Sequence, residues 1–289
     1  RKMSFKFEEG KMYMMPVVFG PCVTPRQKPE GGRWIYDSPT KTTHYKVVCE
    51  VSREKLESIL PEKYELLSPH VVITFSALRN IAWLQGGKYD IVHVEVPVHF
   101  KGEKDDFVAF FEPVLWEDVT DAILTGREQL GYSKIFGFIE TMQEENGIAR
   151  GSIATHDFTF LEMIVNTNED PEDLEALKQV LCNPENKGKV HFKYMPRTGA
   201  PFTTADACYS VLGPSNWNPP ADVRTDDCPA TESKFCKGEL IWHRPEWKDA
   251  PAQAHILQFL ADMGFKRYLG AQKSVVYSHA DVYAQHIVE

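Results

Sequence analysis

The sequence contains no apolar run approaching the ~18 residues that mark a membrane-spanning helix. Its first residues are rich in lysine and glutamate and carry no apolar segment of the kind a secretory signal needs. From these absences the expectation is a soluble, cytoplasmic protein with no membrane partner. Positive charge is also scarce: 32 lysines and arginines face 41 aspartates and glutamates, a formal net charge of −9. No basic stripe interrupts that balance, which argues against nucleic acid as a partner. Six cysteines are scattered without a CxxC or CxxxC pair. The closely spaced thiols of most zinc sites are therefore missing, and no metal is expected. Without a secretory signal, a disulfide framework is not expected either. Neither a G-x-G-x-x-G nor a G-x-x-x-x-G-K-[ST] run occurs, so no dinucleotide or phosphate loop is indicated. A hydrolase built on a pair such as His156-Asp157 lacks the G-x-S-x-G nucleophile elbow.

What the chain has is an ordinary globular composition over 289 residues, with 43% hydrophobic, 25% charged and 12% aromatic residues. Prolines at 16, 21, 25, 29 and 39 and the Gly31-Gly32 pair punctuate an irregular opening. Residues 1–42 are read as an extended arm that wraps the domain or a neighbouring subunit, and residues 43–289 as a single domain. Strand patterns, rich in β-branched and aromatic residues, run over 43–51, 71–78, 91–100, 106–116, 135–140, 147–164, 189–194, 238–242 and 271–279. Helical patterns run over 52–60, capped by Ser52 and stopped before Pro61, and over 118–130, 170–180 and 252–263. A polar, proline-rich loop is expected over 213–229. Many strands with few helices predict an α+β domain, a mainly antiparallel curved sheet or barrel.

One segment stands out chemically. In Gly126-Arg127-Glu128-Gln129-Leu130-Gly131-Tyr132-Ser133-Lys134-Ile135-Phe136-Gly137-Phe138, a single lysine follows a helix end and sits among aromatic and aliphatic neighbours. A buried lysine tends toward its neutral amine, because desolvation disfavours the ammonium. A neutral amine attacks carbonyls. A lysine whose stem packs while its head reaches water fits the same spacing. On the preceding strand pattern, His93, Glu95, Pro97 and His99 alternate onto one face, which lines a pocket if it points inward.

This segment resembles the catalytic stretch of the acetoacetate decarboxylase family, where Gly-Arg-Glu precedes an aromatic-Pro-Lys-Lys run. Three further stretches resemble that family in the same order. Leu60-Pro61-Glu62-Lys63-Tyr64-Glu65-Leu66 is similar to its V-P-E-P-L-E element. Val96-Pro97-Val98-His99-Phe100-Lys101-Gly102 is similar to its I-P-V-x-F-x-G strand, and Lys193 to Pro201 to its K-x-x-P-x-x-D-G-x-P hairpin. The resemblance implies a barrel-like fold, a homo-oligomer and a lyase that needs no cofactor, because a lysine imine is its own electron sink. It maps the Schiff-base lysine onto Lys134. Acetoacetate decarboxylase is itself the standard example of a nucleophilic lysine activated by its surroundings, so that mechanism comes with the resemblance.

Departures from the family are equally specific. Ser133 stands in place of the proline, and Ile135 in place of the second lysine. The family's arginine falls near Thr42, and its glutamates near Thr74 and Ile91. Arg127 and Glu128 remain, at the pocket edge. The altered polar set resembles the members that condense pyruvate with aldehydes, or cyclise or dehydrate 2-oxo acids. Tyr277, Tyr132, His99 and His93 are the candidates for the displaced acid or base and for substrate contacts. The expected substrate is a small keto acid, taken through decarboxylation of a β-keto acid or aldol, dehydration or cyclisation chemistry on a 2-oxo acid. The alternative is a non-catalytic barrel that binds a hydrophobic small molecule.

Overall fold

The structure is a computed structural model that describes residues 5–34, 38–199, 201–215, 228–279 and 282–289. Residues 5–34 hold one 3-10 turn, Val17–Phe19, and an isolated bridge between Thr24 and Gln27. Strand β1 (Thr40–Glu50) starts three residues before the expected position. Helix α1 (Arg53–Glu57) follows, where the Ser52 hydroxyl accepts the Lys55 N–H at 3.3 Å and satisfies one of the open N-terminal donors. Then come β2 (Tyr64–Leu66), β3 (His70–Ile81), β4 (Gly87–Lys101) and β5 (Asp106–Glu117).

The helix expected over 118–130 begins two residues later and widens in its second half. It is α2 (Thr120–Thr125), followed by a π-helical turn at Gly126–Leu130 and closed by Gly131 at φ 82°. Strands β6 (Lys134–Phe136) and β7 (Phe138–Glu145) come next. The run expected as strand over 147–164 is a hairpin, β8 (Ile148–Thr155) and β9 (Phe158–Asn166). His156 and Asp157 form its turn, with His156 at φ 50°. Helix α3 (Leu174–Leu181) is capped by Asp173, whose carboxylate accepts the Ala176 N–H at 3.1 Å.

Strands β10 (Asn186–Pro196), β11 (Ala205–Pro214) and β12 (Glu232–Trp242), helix α4 (Ala254–Ala261), and strands β13 (Arg267–Ser278) and β14 (His286–Val288) complete the chain. The loop expected over 213–229 lies largely outside the described residues, and β2, β11 and β14 are additions to the expected strands.

The fold class is α+β, but the expectation of a mainly antiparallel curved sheet or barrel is corrected to an open, mixed sheet. Strand order runs β14-β11-β10-β5-β4-β3-β1-β13-β12-β9-β8-β7, with β2 on β4 and β6 on β5. A barrel needs its terminal strands to pair with each other. Here β14 and β7 end the path, so the sheet is open, and it is mixed because β10 and β6 both run parallel to β5. The path fails to return because β12 changes partner midway. Residues 232–236 pair with β13, and residues 237–242 pair with β9.

The main core lies on the side of the sheet that carries Val47, Ile73, Val94 and Trp116, and Trp116 meets Phe160 of β9 at 5.1 Å between ring centroids. A smaller cluster forms on the opposite side, where Val48, Val72 and Leu269 are covered by Leu177 and Val180 of α3. Among the described residues, no helix is long and apolar enough to cross a membrane.

Candidate active site

Residues directly opposite each other on paired strands project from the same face of a sheet. Reading across the register from β6, Lys134 lies opposite Leu115, which lies opposite His93, then Thr74, then Lys46. One rung therefore carries two lysines, a histidine and a threonine on a single face. A bulge on β5 enriches that face. Val94 pairs with Val114 and Val96 with Phe111, so Glu112 and Pro113 together oppose Glu95. Pro113 has no N–H to lose from the ladder, which suits it to a bulge. The extra residue shifts the alternation of β5 and brings Glu112 onto the face that also carries Leu115 and Glu117.

At one end of the rung, Lys134 is 6% exposed. Its Nζ lies 2.7 Å from Glu117 Oε1 and donates to the Ala122 carbonyl at 3.1 Å. Glu117 is fully buried, and among the described residues neither of its oxygens has a hydrogen bond of good geometry. Burial pushes its carboxyl pKa up, and the Lys134 charge opposes that rise without cancelling it. The lysine stem lies against Gly126. That glycine has an ordinary helical φ of −63°, so its role is space: a Cβ there would come 2.4 Å from Lys134 Cδ and Cε and 2.7 Å from Nζ.

Arg127 donates to the Lys134 carbonyl at 2.9 Å and so anchors the backbone of the segment. The Tyr132 ring centroid is 5.5 Å from Lys134 Nζ, and the ring stacks on His191 at 3.8 Å and 18°. Gln285 donates to the Tyr132 hydroxyl at 2.7 Å. His191 is completely buried, with both ring nitrogens lacking a hydrogen-bond partner among the described residues, and burial lowers its pKa to about 4.

Along the rung sits a second buried cluster. His93 Nδ1 is 2.5 Å from Glu112 Oε1, and Lys189 donates to the same oxygen at 2.9 Å. Lys189 also lies 3.0 Å from Glu95 Oε1, whose other oxygen accepts the Thr74 hydroxyl at 2.6 Å. Burial alone would raise both carboxyls. The Lys189 charge, with the His93 ring hydrogen-bonded to Glu112, outweighs it, holding Glu95 at about 2 and Glu112 well below the usual range. Their combined negative charge raises the Lys189 ammonium against its own desolvation.

The structure thus brings Lys134, Tyr132, Arg127 and His93 into one region. Glu128 contributes its carbonyl, which accepts from Lys193 Nζ at 2.6 Å. His99 is six residues along β4 from His93, roughly 20 Å at the rise of a strand, and its ring meets Asp106 at 2.5 Å. Tyr277 lies opposite Lys41, whereas Thr42, His44 and Lys46 lie opposite Val276, Ser274 and Gln272. The tyrosine therefore projects from the other face of the sheet. Glu117, Glu112, Lys189 and His191 also stand in this region, and the sequence alone does not single them out. Lys189 and His191 flank buried Val190 in a strand pattern, and Glu117 closes the apolar run of β5; both are signals that could find them. Among the described residues, no group of three or more His, Cys, Asp or Glu side chains is placed to hold a metal ion.

Among curated proteins, none matches this chain in sequence. Solved structures resemble it in fold. An acetoacetate decarboxylase structure shares 15% identity at a TM-score of 0.61, covering 91% of this chain and 94% of its own. The acetoacetate decarboxylase of Legionella pneumophila shares 18% at 0.58, covering 91% and 92%. The enduracididine biosynthesis enzyme MppR, complexed with the condensation product of pyruvate and imidazole 4-carboxaldehyde, shares 13% at 0.57, covering 88% and 90%. The family model for acetoacetate decarboxylase matches residues 20–279. With a buried lysine at the segment that carries the resemblance and a family match over most of its length, this chain belongs to the acetoacetate decarboxylase family and is an enzyme of lyase type.

Proposed function

We propose that Lys134 forms a Schiff base with a small oxo acid and that the His93–Glu112 pair then moves the proton at the carbon next to the imine. The observation that carries the first half is the Lys134–Glu117 contact at 2.7 Å. A carboxyl raised by burial is a fitting acceptor for the proton that the ammonium must give up before it attacks. The neutral amine adds to the carbonyl carbon. The resulting carbinolamine loses its hydroxyl as water, taking back the proton held on Glu117, and leaves the iminium. Tyr132 supplies an aromatic wall beside the nitrogen.

The second half rests on the rung. His93 is two strands from Lys134, roughly 10 Å between Cα atoms at ordinary strand spacing. The two side chains leave the same face of the sheet, with Leu115 between them on the rung. A histidine held by a carboxylate is suited to take a proton in the gap and return it, and Glu112 orients the ring. Deprotonation beside the imine gives the enamine that aldol addition and dehydration require. The condensation product in MppR belongs to that chemistry. In this reading Ile135 leaves Lys134 without a neighbouring cation, and Glu117 takes over its activation.

The test is intact-mass analysis after borohydride reduction, with pyruvate and acetoacetate supplied separately and the adduct located by peptide mapping. The expected result is a reduced adduct on Lys134 with pyruvate, absent in Lys134→Ala. Carbon dioxide release from acetoacetate without any deuterium uptake into pyruvate would replace the aldol branch by decarboxylation. No adduct with either compound would overturn the reading.

A further inference from the structure

On the face of β1, β3 and β13 opposite the amine, a cavity of about 370 Å³ lies between the sheet and β7. Its floor is set by alternation. Thr43 lies opposite Ala77 and Val275, and Tyr45 opposite Phe75 and Lys273, all projecting away from His44, Thr74 and Lys134. Phe75, Ile139, Met142 and Val275 give it apolar walls. Three cations border it, Lys41, Arg79 and Lys273.

Two carboxylates answer them, and both are fully engaged. Asp90 is 4% exposed; Arg79 reaches its Oδ1 at 2.5 Å and Thr141 donates to its other oxygen. Glu144 accepts from Tyr45 at 2.7 Å and from Lys273 at 2.5 Å. Asp118, which accepts the Asp90 N–H at 2.9 Å, is a third carboxylate beside the Arg79–Asp90 pair, and Lys41 at the mouth is left with no ion-pair partner among the described residues.

We propose that this cavity is a second ligand site, separate from the amine, for a monocarboxylate carrying an apolar body. One unpaired cation at the mouth selects one negative charge, and the walls select the apolar part. At ~30 Å³ for each water-sized group the space admits about a dozen such groups, the size of a medium-chain or aryl-alkyl acid. The carboxylate sits at Lys41 near the mouth, and the chain runs inward over Ala77 toward Met142.

The experiment is calorimetric titration of the intact protein with octanoate and, separately, with inorganic phosphate. Octanoate is expected to bind and phosphate is not. Lys41→Met, a change at an exposed residue, is expected to weaken octanoate at least about tenfold, the loss of one charge-assisted hydrogen bond. Ala77→Phe fills the floor and is expected to abolish binding. Lys134→Ala is expected to leave it unchanged, and Lys41→Met to leave borohydride trapping at Lys134 unchanged. No octanoate binding, equal binding by Lys41→Met, loss of binding in Lys134→Ala, or phosphate binding as well as octanoate would each overturn the proposal.

Discussion

The contact between Gly126 and Lys134 supports a prediction that stability measurements alone would miss. In Gly126→Ala the new Cβ would lie 2.4 Å from two carbons of the lysine stem and 2.7 Å from its nitrogen. Ordinary contact begins near 3.5 Å, so the stem must retreat by about 1 Å. The atoms met are the far end of a flexible side chain, and the fold can yield there. Alanine also gains ~0.8–1 kcal/mol over glycine within a helix, against ~1–3 kcal/mol for overpacking. The net destabilisation is therefore expected to stay below about 2 kcal/mol.

Function should suffer far more. The displaced nitrogen loses its 2.7 Å contact with Glu117 and its 3.1 Å bond to Ala122. A misplacement of about 1 Å at a reacting centre costs on the order of 10²-fold in rate. The assay is a time course of borohydride trapping with pyruvate, run beside chemical denaturation of the same samples. A trapping rate within a factor of three of the parent, in a folded Gly126→Ala protein, would refute the argument that this glycine exists to make room for the lysine.

Three other outcomes are expected. Glu117→Gln should slow adduct formation at neutral pH by about 10²-fold, the lower end of what a positioned acid–base group contributes; an unchanged quenched-flow rate would exclude Glu117 as the proton acceptor. Lys189→Met strands Glu95 and Glu112 without their cation and should cost roughly 3–5 kcal/mol in urea unfolding, with much of it recovered by adding Glu112→Gln. The buried His191, at about 4 against an ordinary 6.5, stays neutral in the fold while the unfolded chain takes up a proton. Its contribution is present above pH 6.5 and is lost as pH falls through 6.5 to about 4, an effect of roughly 3 kcal/mol. His191→Phe should flatten the stability profile over that window, and an unchanged slope would count against a neutral buried imidazole.

The alternation of β1, β3, β4 and β5 is legible from the chain because each strand buries at least one face, and apolar residues mark it. Lys134 is legible because a lone charge in an aromatic setting is costly without a reason. The arrangement around it is not. Glu112 reaches the amine face only through the bulge at Pro113, and a strict period of two assigns it to the other side. Tyr277 misleads for the same reason in reverse: the face it occupies is fixed by pairing with Lys41, a long-range register that local pattern does not encode. The hairpin turn at His156-Asp157 lacks the glycine that usually announces one, so β8 and β9 read as a single run. Closure of the sheet is beyond local reasoning too, since it turns on which partner β12 chooses at residue 237.

Ile135 has an implication for anyone redesigning this enzyme. Lys134 pairs with Leu115 and Ile135 with Trp116, so the two neighbours leave the strand in opposite directions, and Ile135 packs against the main core. Grafting a lysine at 135 to recreate a tandem pair would drive an ammonium into hydrocarbon instead of setting it beside the first amine. A second amine beside Lys134 calls for edits along the rung, at positions such as Leu115, and not along the chain.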